Sequence, residues 1–446
     1  MDNDWIEFRE LMKLKQRMQT MTEGERRLVL ERKSERKDVM KVVKNARLID
    51  GTGSDPLDNA TLIIRGDVIE GVGKSADVTV PSGVIVLDAE GMTVMPGLID
   101  AHMHFRGIPK HVASSAIDSI ILPKELKAIR ATVDARVLLE AGFTSVREAS
   151  NSSGVGLALK RAVDEGTIPG PRIIVAGFAT QTGGHADWPQ DVPLNWIKES
   201  KKGRIVDGIA DCRKAAREII REGYDFIKIA TTGGIHMERS SLEAQFTVDE
   251  VKAFAEEAHR AGIGLASHAQ GPEGIKIALA GGVDTIEHGI FLDDETSMLL
   301  AKSGKILVED IGVLELQTQR ENFLPYQRET ARIAWDAAVK SYQKARKSGV
   351  RIAMGTDFSG DLIGRNAFEL EAMVNAGTDP MDAIVSSTKI GSEALMINDL
   401  TGTLEQGKLA DVIFVEGDPL GNINILQKTA RIRKVIKGGE VMVDRQ

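Results

Sequence analysis

Residues 98–104 read LIDAHMH, an apolar run that ends on two histidines one position apart. Alternate residues of a strand share a face, so His102 and His104 leave the strand end in the same direction. Seven later segments share this build: FTSVRE (143–148), RIIVAG (172–177), DFIKIA (225–230), IGLASH (263–268), VDTIEH (283–288), KILVED (305–310) and VRIAMGTD (350–357). Helical patterns separate them, among them KAAREIIREG (214–223) and VDEVKAFAEEAHRAG (248–262), the latter behind Thr247 as N-cap. Eight strands, each followed by a helix, predict an α/β fold, a (β/α)8 TIM-type barrel over residues 97–399. A doubly wound open sheet is the rival, weakened because no Gly-rich phosphate loop follows the first strand.

The flanks have a different texture. VVKNARLID (42–50), ATLIIRG (60–66), DVIEGVG (67–73) and GVIVLDAEGMTVMPG (83–97) are short β-like runs between turn residues. LADVIFVEG (409–417) and ARIRKVIKGGEVMV (430–443) repeat the pattern at the other end. Residues 39–96 and 400–446 are therefore expected to build one small β-sandwich domain from both chain ends. Ahead of it, Trp5, Phe8, Leu11, Leu14, Met18 and Met21 follow helical spacing, and Thr22 with Glu25 has the form of a capping box. Residues 1–38 are read as a helical extension that packs on its own domain or a neighbouring subunit, so a homo-oligomer is expected.

Composition narrows the function. A net charge of −8 argues against nucleic acid as a partner, since a phosphate-backbone binder needs a basic footprint. The single cysteine, Cys212, excludes a disulfide framework and a Cys-rich zinc site, and fits a reducing, cytoplasmic compartment. No run is apolar over a bilayer's thickness, so no membrane partner is expected. The opening MDNDWIEFRELMKLKQ carries acids where a signal peptide is basic, which argues against secretion.

Barrel enzymes work at the C-terminal ends of their strands. Those ends hold His102 and His104, Lys228, His268, His288 and Asp357, which are donors suited to zinc or a similar divalent ion. Singly, each has an ordinary structural reading: a strand-end polar group, a lysine snorkelling outward, a helix N-cap. Their joint placement is what points to a metal site. His259 sits near a helix C-terminus and reads as structural. His111 and His236 fall in loops and stay open, while His185, behind Gly183-Gly184, is a substrate contact or a loop residue.

The runs MPGLIDAHMH (95–104), YDFIKIATTGG (224–234), ASHAQGPEG (266–274), TIEHG (285–289), MGTD (354–357) and GTLEQGKLADVIFVEGDPL (402–420) resemble the amidohydrolase superfamily. The similarity runs from about Lys41 to the C-terminus, and points to the branch of imidazolonepropionase-like proteins and bacterial Xaa-Pro dipeptidases. It implies a barrel flanked by a β-sandwich and two divalent ions, zinc being the first expectation. By position, His102 and His104 with Asp357 match the ligands of one ion, and His268 and His288 those of the other. Lys228 matches a lysine that takes up carbon dioxide as a bridging carbamate. A metal-bridging hydroxide is then expected to attack an amide carbonyl, with Asp357 as general base and acid. His185 is the candidate for oxyanion or substrate-carboxylate binding.

The implied substrate is a small, dipeptide-like molecule, an Xaa-Pro dipeptide or an N-acyl amino acid. This chain departs from its relatives at Gln270, where an aromatic or histidine is common, and at Gly364-Arg365, in place of a His-Gly pair. Arg365 either receives a substrate carboxylate or pairs with Glu369 one turn on, and both readings stay open. Glu309 and Asp310 end the seventh strand and raise the prospect of a cationic substrate group. The alternatives are hydrolysis of a cyclic amide or lactone, a mononuclear deaminase using Glu273, and an inactive oligomeric scaffold.

Overall fold

The computed structural model describes residues 39–107, 122–150, 153–187, 192–200, 203–235, 243–321 and 323–445. The helical reading of residues 1–38, and the loop histidines 111 and 236, lie outside the described residues.

The chain enters through β1 (Met40–Leu48), β2 (Leu57–Arg65), β3 (Val68–Lys74), β4 (Ile85–Asp88) and β5 (Thr93–Pro96). It ends in β15 (Val412–Val415), β16 (Ile432–Lys437) and β17 (Glu440–Asp444). These join in one mixed sheet ordered β17-β16-β15-β5-β1-β2-β3, with β4 beside β1. The antiparallel pairing of β5 with β15, Pro96 opposite Val412 and Thr93 opposite Val415, is what unites the two chain ends. Val43, Leu48, Leu62, Ile64, Val94, Val412, Phe414 and Ile436 pack into a core of this sheet's own.

Between them run β6 (Leu98–Met103), β7 (Phe143–Glu148), β8 (Arg172–Thr180), the short β9 (Arg204–Ile205), β10 (Phe226–Ala230), β11 (Gly264–Ala269), β12 (Thr285–His288), β13 (Ile306–Glu309) and β14 (Arg351–Met354). Apart from β9, which lies beside β8, they pair as neighbours in chain order, and every pair is parallel. The first and last strands meet through a parallel bridge between Met103 and Phe358, while Thr356 N and Asp357 N donate to the His102 carbonyl at 2.9 and 2.7 Å. The barrel closes at the C-terminal end of its strands, beside the first histidine. The β6 to β14 sequences predicted this (β/α)8 barrel correctly.

Two apolar layers support the wall. Ile99, Ala101, Ile174, Ala176, Phe226, Ala266, Ile306, Val308 and Ala353 fill the interior, plugged by Ala394, Leu395 and Ile397. Outward-facing partners such as Ile173, Val175, Ile227, Ile229, Leu265, Ile286 and Leu307 pack against the helices. The helix at Val248–Ala261 shows the local logic. Thr247 and Glu250 form a full capping box at its start, with Thr247 N donating to the Glu250 carboxylate at 2.7 Å. Gly262, at φ 67°, turns the chain into β11.

Candidate metal centre

The parallel register sets His268 level with Ala230 and Glu287, and His288 level with Ala269. It gathers side chains that are far apart in sequence. The His102 and His104 ring centroids lie 5.3 Å apart, His102 and His288 4.8 Å, His268 and His288 4.5 Å. His185, from the loop after β8, stacks 4.1 Å from His268. All four expected histidine ligands and Lys228 are buried, whereas the Asp357 side chain keeps 32% exposure and so faces the opening. His104 Nε2 is 2.8 Å and His102 Nε2 3.9 Å from Asp357 Oδ1.

Strand periodicity alone does not deliver this. Ile286 packs outward and Glu287 bonds inside the barrel, so His288 in a regular strand would face the helices. His288 instead adopts φ 75°, which swings its ring to the other histidines. Asp357 is likewise left-handed, at φ 50°. Such backbone costs about 1–3 kcal/mol per residue and persists only where surrounding contacts impose it.

The second nitrogen of each imidazole is occupied. His102 Nδ1 lies 2.6 Å from Glu287 Oε2, His104 Nδ1 3.2 Å from Glu148 Oε1, and His288 Nδ1 2.6 Å from Asp310 Oδ2. His268 Nε2 lies 2.9 Å from the Gly233 carbonyl, which leaves its Nδ1 toward the site. Carboxylates and carbonyls on the far nitrogen orient metal-binding imidazoles and raise their basicity. Beneath His102, Arg147 is fully buried and donates to both Glu287 oxygens at 2.6 and 2.7 Å. Asp100, also buried, accepts from Thr356 Oγ1 and Asn366 Nδ2, each at 2.7 Å, and from His102 N at 3.0 Å. It ties β6 to the segment carrying Asp357.

The electrostatics follow from crowding. Burial pulls the Lys228 amine down to about 8, against the nearby Glu287 and with the help of Arg147. Burial also holds His102 and His268 well below the usual imidazole range. For His104, burial and Arg106 pull down, but hydrogen bonds to Asp357 and Glu148 outweigh them and raise it. Desolvation would raise the Asp357 carboxyl, yet the hydrogen bond from His104 and the charges of His104, His102 and His288 hold it well below the carboxylate range. Burial lifts Asp100 to about 6.

Around this centre the remaining sequence candidates part ways. Gln270 is buried at the end of β11, on the His268 face, and its Oε1 has no hydrogen-bond partner among the described residues. Arg365 is exposed and lies over the Phe368 ring at 5.9 Å. It does not pair with Glu369, whose buried carboxylate accepts from Gly312 N at 2.8 Å. Asp310 is taken up by His288, and Glu309 is buried, where desolvation and the neighbouring acids Asp310 and Glu369 push its carboxyl well up. These two acids therefore do not form a free anionic patch at the mouth. His259 pairs with Asp284 at 2.9 Å on the surface, away from the centre.

Sequence reasoning overlooked Arg147, Glu148, Glu287 and Asp100. Two signals were available: Arg147 and Glu148 place two charges in a strand segment that otherwise has none, and acids stand one or two positions before the expected ligands in TIEH and LIDAH.

The donor set fits divalent ions. Ligand atoms of His102, His104 and Asp357 lie within 4.8 Å of one another, as do those of His102, His288 and Asp310. In the second group Asp310 is bonded to the His288 ring and so supports a ligand. His268 belongs to neither group by distance, although its ring is in contact with both His288 and His185.

Comparison with known proteins agrees. The sequence pattern of the amidohydrolase family matches residues 93–442. Ochratoxinase of Aspergillus niger is 32% identical over 417 residues, 88% of this chain and 85% of that protein. The crystal structure of A. niger ochratoxinase superposes with a TM-score of 0.83, covering 91% of this chain and 96% of the other. A Xaa-Pro dipeptidase crystallised with methionine in its active site gives a TM-score of 0.82 at 34% identity, over 90% of this chain and 99% of that one. Imidazolonepropionase of Geobacillus kaustophilus is 26% identical over 426 residues, 88% of this chain and 90% of the other.

Proposed function

Because this chain belongs to the amidohydrolase family and so is a hydrolase of carbon–nitrogen bonds, we propose that it cleaves the amide of a small, peptide-like substrate bearing a free carboxylate, an Xaa-Pro or related dipeptide or an N-acyl amino acid. The observation that carries this reading is the buried histidine group beside the part-exposed Asp357, supported by the similarity to a Xaa-Pro dipeptidase.

His102, His104 and Asp357 would hold one divalent ion and His268 and His288 a second, with Lys228 between them as a carbamate. When bound, the ions supply the positive charge that acidifies a water and polarises the scissile carbonyl. Lys228 suits carbamate formation because its amine, pulled down to about 8, has a lone pair available to attack carbon dioxide, losing one proton as the N–C bond forms. Asp357 takes the proton of the attacking water and returns it to the leaving nitrogen, a role its partial exposure allows. His185, stacked on His268, donates to the carbonyl oxygen as it gains charge or to the substrate carboxylate. Gln270 Oε1, unpartnered among the described residues, accepts a substrate N–H, and the exposed Arg365 guanidinium receives the substrate's carboxylate.

Metal analysis with a hydrolysis screen tests this. After reconstitution with zinc, close to two ions per chain are expected, falling in Lys228→Ala. Turnover is expected among Xaa-Pro dipeptides, N-acyl amino acids or dipeptides ending in Lys or Arg. Fewer than one ion per chain would remove the two-metal reading. Lactone cleavage without amide turnover would replace the substrate class and leave the metal site standing.

A further inference from the structure

Below the histidines, the barrel interior is not purely apolar. Arg147 and Glu287 are both fully buried, and together with Thr285 they form a polar layer between the apolar plug and the metal-binding residues. Arg147 is held from every side. Its Nε donates to the Ala101 carbonyl at 2.7 Å, its Nη2 to both Glu287 oxygens, and its Nη1 to Thr285 Oγ1 at 3.3 Å. Its guanidinium lies 5.1 Å over the Phe226 ring, two residues before Lys228 on the same strand face. Ala101 in turn directly precedes His102. Arg147 therefore touches the strand that carries His102 and, through Glu287, the His102 ring as well.

We infer that Arg147 and Glu287 are positioning residues that fix the tautomer and aim of His102, and thereby the affinity of the metal site it shares with His104 and Asp357. The inference rests on the metal-site reading above. Arg147 is donor-only, so both Glu287 oxygens that it engages act as acceptors. Glu287 Oε2 can then only accept from His102 Nδ1, which places the ring proton on Nδ1 and the lone pair on Nε2. Nε2 is the nitrogen that faces Asp357. A merely structural pair would need only to balance two buried charges. The guanidinium fork does more: it sets the carboxylate plane, and the plane sets the ring.

Three variants separate the two roles: Glu287→Gln, Arg147→Met and the double substitution. The metal-free protein is titrated with zinc against a chromophoric chelator, and 15N shifts of labelled histidine report the His102 tautomer. Each single variant is expected to bind the tighter zinc about 10–100-fold more weakly, the range found when such outer ligands are lost, with the His102 signals moved toward a tautomer mixture. The double variant carries no unpaired buried charge, so its fold recovers, yet its zinc affinity and its 15N signature stay altered. Thr285→Val, which keeps both charges and removes the hydroxyl that accepts from Arg147 Nη1 and donates to Glu287 Oε1, shifts both readouts in the same direction but less. Wild-type zinc affinity and tautomer in the double variant would reduce the pair to a structural ion pair and overturn the inference. No zinc uptake by the wild-type chain would instead bring down the metal-site reading, and the inference with it.

Discussion

Two arginine–glutamate clusters in this chain share their chemistry and differ in what surrounds them. Inside the barrel, Arg147 and Glu287 are both fully buried, one cation to one carboxylate. On the outer helices, Glu257 is nearly as buried, at 4%, but its three partners reach it from solvent: Arg213, Arg217 and Arg260 are 31%, 62% and 63% exposed. The outer arginines hold Glu257 with their own hydration largely kept. The inner one has given up water altogether, so it must recover that loss from a fork to Glu287, a carbonyl and an aromatic face. Such a pair is poor evidence for net stability, and what sets it apart is the geometry through which it meets the His102 ring.

That contrast can be broken, beginning where the effect is largest. Arg147→Met leaves the Glu287 carboxylate buried without its cation and is expected to cost about 3–5 kcal/mol in denaturant unfolding. A loss under about 1 kcal/mol would erase the distinction between the clusters. Next comes Gly355→Ala. A Cβ there would stand 2.7 Å from Val308 and 2.9 Å from the His102 Cβ, so overpacking should cost about 1–3 kcal/mol and displace His102. Unchanged stability together with full zinc content would show that the wall beside His102 yields easily.

Glu257→Gln should cost only about 1 kcal/mol, because solvent screens the three exposed guanidiniums. Acid sharpens the same point. Hydrogen bonds from Arg217 and Arg260 first, then Arg213, hold the Glu257 carboxyl at about 2. A carboxyl depressed below its unfolded value of about 4.3 stabilises the fold above that pH and ceases to as pH falls through the folded value. The stability gap between wild type and Glu257→Gln should thus be flat above about pH 5 and shrink toward pH 2. A gap that widens in acid would contradict this account of Glu257.

Much of the centre was readable before any coordinates. The eight strand segments announced themselves by short β-branched runs, and the candidate ligand histidines by their place at the run ends. His102 and His104 share a face by strand periodicity, but that this face is the interior depends on the irregular register of β6 between Asp100 and Met103, because Ala101 packs inside as well. His288 was located by counting strands, but periodicity would have aimed it outward, and the φ that corrects this is a backbone fact no side-chain pattern encodes. Arg365 shows the opposite case. Its spacing to Glu369 suited a helical ion pair, but the helix begins at Phe368, and Glu369 turns inward to cap Gly312 N. Spacing offers a partner only when both residues stand on one element. The acids at 309 and 310 were misjudged for a related reason: adjacency in a strand separates side chains to opposite faces, so Asp310 meets His288 while Glu309 is walled in.

The sequence by itself determined the barrel strands, the β texture of both chain ends and the residue types at the strand ends, because all three follow from local periodicity and turn chemistry; the pairing of β5 with β15 that joins the ends is a tertiary contact. Only the tertiary structure decided which carboxylate stands behind which imidazole, since those contacts join residues 22 to 185 positions apart. No local rule reaches that far. The buried fork of Arg147 on Glu287, 140 positions distant, exists because barrel closure leaves an interior layer that one cation and one carboxylate can fill together.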